Sequence, residues 1–85
     1  MAEVIIYTKA YCPYCVRAKS LLDEKQVAYH EVKIDEQPER RVEMIEKAGG
    51  RSTVPQIFIG TTHIGGCDEM FALHAAGKLE PLLNA

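Results

Sequence analysis

The run EVIIYT, residues 3 to 8, is the feature that most constrains the fold of this chain. It is a continuous series of β-branched and aromatic residues, without the polar alternation of a strand that has one face in solvent. Such a run predicts a buried strand in the middle of a sheet that is covered on both faces. A second strand is predicted at VAYHEVKI, residues 27 to 34, where apolar and polar residues alternate.

A helix is predicted between these two strands. Pro13 suits the first helical position, and buried positions recur at helical spacing until about Lys25, namely Cys15, Ala18, Leu21 and Leu22. Strand, helix and strand make a β-α-β unit, so the two strands are expected to be parallel with a right-handed crossover.

A second helix is predicted in DEQPERRVEMIEKAGG. It begins near Pro38, has an inner stripe of Val42, Ile45 and Ala48, and ends at Gly49.

The last third of the chain predicts a hairpin and a third helix. The strand runs PQIFIG and THIG are joined by Gly60-Thr61, which suits a tight turn. The helix extends from about Cys67 to Ala76 and stops at Gly77, and the tail LEPLLNA is expected to add a half-turn. The order β-α-β-α-β-β-α predicts an α/β fold, a mixed four-stranded sheet with helices on both faces. We expect residues 1–85 to form a single domain.

Composition and charge exclude several functions. The net charge is −2 and charges of both signs are interleaved, so nothing favours nucleic acid or an anionic membrane as a partner. The longest apolar stretch near the start, VIIY, is too short for a signal-peptide core or a membrane span. We therefore expect a cytoplasmic protein.

The segment CPYC places Cys12 and Cys15 where the first strand gives way to the first helix. The pair could serve as a structural disulfide, a metal clip or a redox centre. Three cysteines is an odd number, unlike the even sets of secreted disulfide scaffolds, and cytoplasmic thiols are held reduced. A CxxC pair beside a β-α-β unit is typical of a thioredoxin-like redox motif.

The position of the pair predicts that its two sulfurs differ. Cys12 falls at the helix N-cap, where the free N–H groups of the first turn and the helix dipole favour a thiolate. Lys9 could add a full positive charge nearby. Cys15 lies on the apolar stripe, where burial disfavours its thiolate. Cys12 is therefore the predicted nucleophile and the more exposed sulfur, Cys15 is the resolving thiol, and Tyr14 lies partly exposed between them.

Two further segments make the pattern more specific. TVPQIF, residues 53 to 58, opens the third strand, and GGCDE, residues 65 to 69, opens the third helix. Together with CPYC, in order and spacing over nearly the whole chain, they resemble the glutaredoxins, in particular the small bacterial dithiol proteins of the glutaredoxin 3 type.

The resemblance implies a thioredoxin-like fold and a binding groove for glutathione. Pro55 would be a cis-proline facing the cysteines, and the backbone of Val54 would pair in strand fashion with the cysteinyl part of glutathione. Gly66, Cys67 and Asp68 would bind its γ-glutamyl end. The full set of implied glutathione-binding residues is Lys9, Tyr14, Thr53, Val54, Pro55, Gly66, Cys67 and Asp68.

The activity implied by the resemblance is glutathione-dependent thiol-disulfide oxidoreduction through Cys12 and Cys15. Glutathione would be a co-substrate, with no tightly bound cofactor and no metal. The implied partners are disulfide-containing or glutathionylated proteins, with ribonucleotide reductase as one candidate, and the chain is expected to be a monomer.

Three rival functions remain open at this level. Small copper carriers also place CxxC between a first strand and a first helix, and thiolates suit Cu(I). Single-cysteine glutaredoxins handle iron–sulfur clusters, but this chain keeps Cys15. A glutaredoxin-like electron donor reduced by thioredoxin reductase is the nearest rival, although GGCDE favours glutathione.

The remaining cysteine and the histidines have simpler interpretations. We expect Cys67 to be a small packed residue whose backbone matters more than its sulfur. His30, His63 and His74 are expected at separate surface positions without a metal.

Overall fold

The computed structural model describes residues 2–85, and its elements follow the order β-α-β-α-β-β-α-α. The strands are β1 (Val4–Thr8), β2 (His30–Lys33), β3 (Gln56–Ile59) and β4 (Thr62–Gly65). The helices are α1 (Pro13–Glu24), α2 (Pro38–Lys47), α3 (Cys67–Ala75) and α4 (Leu79–Leu83). The predicted order is confirmed up to α3, whereas the tail forms a short helix, α4, and not the half-turn that we expected.

β1 lies inside a four-stranded mixed sheet with the strand order β2-β1-β3-β4. It pairs in parallel with β2, where Tyr7 is opposite Val32, and antiparallel with β3, where Ile6 is opposite Ile57. β3 and β4 form an antiparallel hairpin whose turn contains Gly60 with a φ of +60°. The parallel first pair, the hairpin and the interior position of β1 are confirmed.

β2 is shorter than the alternating run VAYHEVKI predicts, because residues 25–26 form the turn out of α1 and residues 27–29 lie outside any strand. The Val27 N–H donates to the Leu22 carbonyl at 3.0 Å, and Gln26 has a φ of +58°. Pairing with β1 begins only at His30. Val27 instead packs into the core beside α1.

Helices cover both faces of the sheet, as predicted. α1, α3 and α4 cover one face, where they pack on the strand residues Val4, Ile6, Ile57 and Ile59. α2 covers the opposite face, where Met44 packs with Tyr7 and Phe58. Within residues 2–85, no helix combines the length and apolar character that crossing a bilayer requires.

The inner stripe of α2 differs from the prediction. Val42 is 59 % exposed, whereas Met44 is fully buried, Ala48 is buried and Ile45 is half-buried. Two helical steps rotate a side chain by about 200°, so Val42 and Met44 cannot face the same surface. The helix buries the row that contains Met44 and Ala48, and the assignment of Val42 to the core was wrong.

Tyr7 ties the interior of the sheet to α2. Its buried ring meets Phe58 edge-on with centroids 5.7 Å apart, and its hydroxyl donates to Glu43 at 2.6 Å. Burial and the neighbouring carboxylate raise the pKa of Tyr7 to about 12. The phenol therefore keeps its proton even where an ordinary tyrosine ionises, and its hydrogen bond to Glu43 holds α2 against the sheet.

Candidate functional site

Cys12 and Cys15 lie where the chain leaves β1 and enters α1. Cys12 is the N-cap residue, with extended backbone angles (φ −114°, ψ 100°), and Pro13 follows as the first helical residue. The backbone N–H of Cys15 donates to the Cys12 sulfur at 3.2 Å. The sulfur therefore takes the place of the side-chain oxygen that usually caps a helix, and it lies in the positive field of the first turn.

Cys12 is more enclosed than the sequence suggests. It is 8 % exposed and Cys15 is 2 % exposed, so Cys12 is the more accessible residue by only a small margin. The thiol of Cys12 donates to the Val54 carbonyl at 3.8 Å, which shows that the segment before β3 lies over the sulfur. Tyr11 and Tyr14, by contrast, are largely exposed beside the pair. Both cysteines are free thiols in this structure.

Cys15 has a different environment one turn into α1. Burial, followed by its hydrogen bond with Cys12, raises the pKa of Cys15 to about 12. Cys15 thus remains a thiol under conditions where an ordinary cysteine begins to ionise. The predicted effect of burial on this sulfur is confirmed.

A charged network borders the cysteine pair. Glu31 accepts from the Thr8 hydroxyl at 2.7 Å and pairs with the Lys19 ammonium at 2.9 Å. Burial raises the pKa of Glu31, but the hydrogen bonds from Lys19 and Thr8 outweigh it and hold that pKa below its usual range. With both cysteines these residues line a cavity of about 510 Å³. The available sequence signal was the spacing of four between Cys15 and Lys19, which places both on one helix face.

Most of the residues that the resemblance assigns to glutathione border one cavity of about 250 Å³. They come from the start of α1, the segment before β3 and the start of α3, and they are Tyr14, Thr53, Val54, Pro55, Gly66, Cys67 and Asp68. The Val54–Pro55 peptide bond is cis, as the resemblance implies. The structure therefore brings these segments together beside Cys12.

Lys9 borders another cavity, of about 470 Å³, which shares Thr53 and Val54 with the cavity of 250 Å³. Cys12 and Arg41 line this larger cavity as well. Two cationic side chains and the carboxylate of Asp35 thus line a cavity that contains Cys12 and no residue of α3. The sequence alone favours the solvated face of α2 for Arg40 and Arg41, and it leaves open a contact of either with a glutathione carboxylate. The packing of α2 places Arg41, and not Arg40, on this cavity.

Arg51 and Glu69 complete the wall of the smaller cavity, and neither was predicted as a site residue. Glu69 accepts from the Gly66 N–H at 2.6 Å and from Arg51 at 2.9 Å. These two hydrogen bonds, in that order, hold the pKa of Glu69 below its usual range. The spacing from Gly66 to Glu69 is that of half a capping box, which was the signal available for Glu69.

The third cysteine and the histidines lie outside the reacting centre. Cys67 is buried in the core, where burial raises the pKa of its thiol. His30 and His74 are exposed as expected. His63 is half-buried, so its prediction as a surface residue was wrong: its ring stacks on Phe58 at 4.9 Å. Within residues 2–85, no three side chains of histidine, cysteine, aspartate or glutamate are grouped so that they could hold a metal ion.

A CxxC pair at the start of the helix after β1, beside a cis-proline segment of a four-stranded mixed sheet, defines a thioredoxin-fold dithiol oxidoreductase. The family model described as glutaredoxin matches residues 4–64. The chain belongs to the glutaredoxin family. It is a glutathione-dependent disulfide oxidoreductase with a CxxC active site.

Individual relatives agree over the full length of the chain. It is 58 % identical to glutaredoxin 3 of Escherichia coli over 84 residues, which cover 99 % of this chain and all of that protein. It is 56 % identical to a glutaredoxin of Pseudomonas aeruginosa over 85 residues, which cover both chains completely.

Two solved structures agree with the fold. The solution structure of a glutaredoxin from Brucella melitensis has a TM-score of 0.84 and 53 % identity, and the match covers 98 % of this chain and 89 % of that one. The crystal structure of a buckwheat glutaredoxin–glutathione complex has a TM-score of 0.87 and 35 % identity, covering 98 % and 77 %.

Proposed function

We propose that Cys12 is the attacking thiolate and Cys15 the resolving thiol of this oxidoreductase. The observation that carries the assignment is the 3.2 Å hydrogen bond from the Cys15 N–H to the Cys12 sulfur at the start of α1. A helix N-terminus stabilises a thiolate, whereas Cys15 is kept protonated by its burial. The Cys12 sulfur is therefore placed to attack, and Cys15 stays protonated beside it until the resolving step.

We infer that glutathione occupies the two cavities that meet at Val54. Its γ-glutamyl carboxylate would lie against the N–H groups of Cys67 and Asp68 at the start of α3, and its ammonium against the Asp68 carboxylate. The backbone of Val54 would pair with the extended cysteinyl unit, as a strand edge does with a peptide. A buckwheat relative was solved as a complex with glutathione, which supports glutathione as the ligand.

The remaining end of glutathione is a carboxylate, and cations border the cavity that it would enter. Lys9 and Arg41 line this cavity together with Cys12. Asp35 is the one carboxylate among the lining residues that the structure describes, so the two cations outnumber it. We therefore orient the ligand with its γ-glutamyl end toward α3 and its glycyl end toward Lys9 and Arg41.

With a glutathionylated substrate, only Cys12 is required. Its thiolate attacks the glutathione sulfur, a Cys12–glutathione disulfide forms, and the substrate leaves as a thiolate that takes up a proton. A second glutathione then attacks the adduct, which releases glutathione disulfide and restores Cys12.

With a protein disulfide, both cysteines are required. The Cys12 thiolate forms a mixed disulfide with one substrate sulfur, and the other sulfur leaves as a thiolate that takes up a proton from solvent. Cys15 then gives up its proton, its sulfur attacks Cys12, and the second substrate sulfur leaves with that proton. Two glutathiones reduce the Cys12–Cys15 disulfide and become glutathione disulfide.

The substrates and setting follow from this chemistry. We infer that disulfide-containing and glutathionylated proteins are the partners, with ribonucleotide reductase as a candidate, and that residues 1–85 act as one monomeric glutaredoxin domain. We place the reaction in the cytoplasm, where glutathione keeps thiols reduced. No resident metal or cofactor enters the proposed cycle.

The test is a glutathione-coupled assay on a glutathionylated peptide and on a protein disulfide. Cys12→Ser is expected to be inactive on both substrates. Cys15→Ser should keep activity on the glutathionylated peptide and lose it on the protein disulfide. Substantial activity of Cys12→Ser would overturn the assignment, and faster turnover with thioredoxin reductase in place of glutathione would favour the rival electron-donor function.

A further inference from the structure

His63, Gln56 and Thr53 form a continuous hydrogen-bonded chain behind the proposed glutathione site. His63 lies on the edge strand β4, and its Nε2 is 2.7 Å from Oε1 of Gln56. Nε2 of Gln56 donates to the Thr53 carbonyl at 3.0 Å and to the Thr53 hydroxyl at 3.3 Å. The Gln56 side chain is fully buried, and each of its polar atoms has a partner in this chain.

The direction of each hydrogen bond follows from the chemistry of its end groups. The Thr53 carbonyl can only accept, so the nitrogen of the Gln56 amide must face it and the oxygen must face His63. That oxygen in turn requires a donor, so Nε2 of His63 carries a hydrogen. Nε2 keeps this hydrogen whether or not Nδ1 is protonated, so both charge states of His63 maintain the chain.

This series of hydrogen bonds also affects what the Thr53 hydroxyl offers to a ligand. Its oxygen accepts from Gln56, so its single hydrogen remains available to donate elsewhere. Thr53 is exposed and borders both cavities that meet at Val54. The oxygen keeps a second lone pair, but the N–H of Gln56 holds the hydroxyl in one rotamer, from which its hydrogen can be donated to a carboxylate or carbonyl oxygen of a ligand.

We propose that His63 is a positioning residue for glutathione: its Nε2 anchors the buried amide oxygen of Gln56, and Gln56 in turn holds the Thr53 hydroxyl where it donates to an oxygen of the bound glutathionyl group. This inference rests on the glutathione site proposed above. His63 itself touches neither the cysteines nor the cavity of Arg51 and Asp68. Stacking on Phe58, with ring planes inclined by 26°, holds the imidazole in line with Gln56.

The test is the equilibrium between free and glutathionylated Cys12 in the Cys15→Ser protein. The protein is incubated in buffers with stepped ratios of glutathione to glutathione disulfide, and mass spectrometry gives the glutathionylated fraction. His63→Phe keeps the stacked ring but removes the donor. We expect it to shift the equilibrium about five-fold toward free Cys12, the effect of losing one hydrogen bond. His30→Phe, at an exposed position on the other edge strand, is the matched control and should leave the equilibrium unchanged.

A double-substitution cycle separates positioning from a general loss of stability. Thr53→Val should shift the equilibrium by a similar factor, and His63→Phe should add little once Thr53 is valine, because both act through one hydroxyl. An unchanged equilibrium in His63→Phe, or fully additive shifts, would overturn the proposal. If His63→Phe does not fold, an unchanged equilibrium in Thr53→Val overturns it alone. Absence of any adduct in the Cys15→Ser parent would instead defeat the proposed function.

Discussion

The backbone N–H of Cys15 donates a hydrogen bond to the sulfur of Cys12 at 3.2 Å, so the two cysteines are linked before any disulfide forms. Because the donor belongs to the backbone, replacing the Cys15 side chain leaves the bond in place. Cys15→Ser therefore removes the second sulfur without removing the capping interaction of the first, which makes it a suitable variant for isolating the chemistry of Cys12.

The first prediction concerns thiol reactivity. At about pH 8, iodoacetamide should alkylate Cys12 well before Cys15, because burial and the contact with Cys12 raise the pKa of Cys15 to about 12 and only thiolates react quickly. Peptide mapping of briefly labelled, reduced protein measures the order. In Cys12→Ser, burial still acts on Cys15, so its labelling should remain slow until the pH becomes strongly alkaline. Rapid labelling of Cys15 near neutrality would contradict the proposed division of roles.

The second prediction concerns Arg41, which lines the cavity proposed for the glycyl end of glutathione. Arg41→Met should raise the KM for a glutathionylated peptide about three-fold, the effect of losing one exposed charge interaction. Arg40→Met is the matched control, since Arg40 pairs with Glu43 at 3.0 Å and does not line the cavity. The difference between the two variants should shrink at high salt, which screens exposed charges. Equal KM values for both variants would argue against a glycyl carboxylate near Arg41.

The third prediction concerns the wall of the smaller cavity. Gly65 has a φ of +111°, and a Cβ there would lie 2.5 Å from Oε1 of Glu69 and 2.9 Å from Nη1 of Arg51. Gly65→Ala should lower the free energy of unfolding by about 1 to 3 kcal/mol and weaken glutathione binding, because the Arg51–Glu69 pair must move. Gly77→Ala shares the positive φ but has no atom within 4 Å of the added Cβ. Gly77→Ala should therefore lower the free energy of unfolding, measured by urea unfolding, and leave the KM for glutathione unchanged.

The fourth prediction concerns acid stability. The pKa of Glu69 is held below its ordinary value of 4.5 by the Gly66 N–H and by Arg51. A depressed pKa stabilises the folded state above the unfolded-state pKa, and this contribution is lost as the pH falls through the folded-state value. Glu69→Gln should thus be less stable than the parent near pH 7, and the gap should close as the pH drops below about 4.5. Urea unfolding at several pH values checks this, with the exposed Glu46→Gln as a control. A difference in the free energy of unfolding that widens at low pH would contradict the lowered pKa of Glu69.

The fifth prediction tests which side of α2 faces the core, the side of Met44 or the side of Val42. Met44→Ala should lower the free energy of unfolding by about 2 to 5 kcal/mol, because the Met44 side chain is fully buried. Val42→Ala should stay within about 0.5 kcal/mol of the parent, since Val42 is largely exposed. Chemical denaturation compares them directly. A larger loss of stability for Val42→Ala than for Met44→Ala would support the predicted stripe of Val42, Ile45 and Ala48.

The sequence was sufficient for the parts of the site that depend on local order. CPYC after a buried strand identifies Cys12 as an N-cap residue, because the cap and the helix that it begins are adjacent in the chain. The buried stripe of α1 was likewise predictable from spacing, and Cys15, Ala18, Leu21 and Leu22 are all buried. Turns at Gly60 and Gly77 carry their own signal, since both have a positive φ.

Features that depend on distant contacts were not predictable in the same way. Arg51 reaches Glu69 across 18 residues, and His63 reaches Gln56 from a neighbouring strand. The choice of Met44 over Val42 depends on how α2 rotates against the sheet, which helical spacing alone does not decide. The enclosure of Cys12 follows from Val54, 42 residues later in the chain.

The most direct test of the account is to expose Cys12→Ser and Cys15→Ser separately to glutathione disulfide and to follow adduct formation over time by mass spectrometry. Cys15→Ser should rapidly gain one glutathione, mapped to Cys12, whereas Cys12→Ser should gain none on Cys15 over the same period. Comparable glutathionylation of Cys15 in Cys12→Ser would contradict the claim that Cys12 attacks and Cys15 resolves.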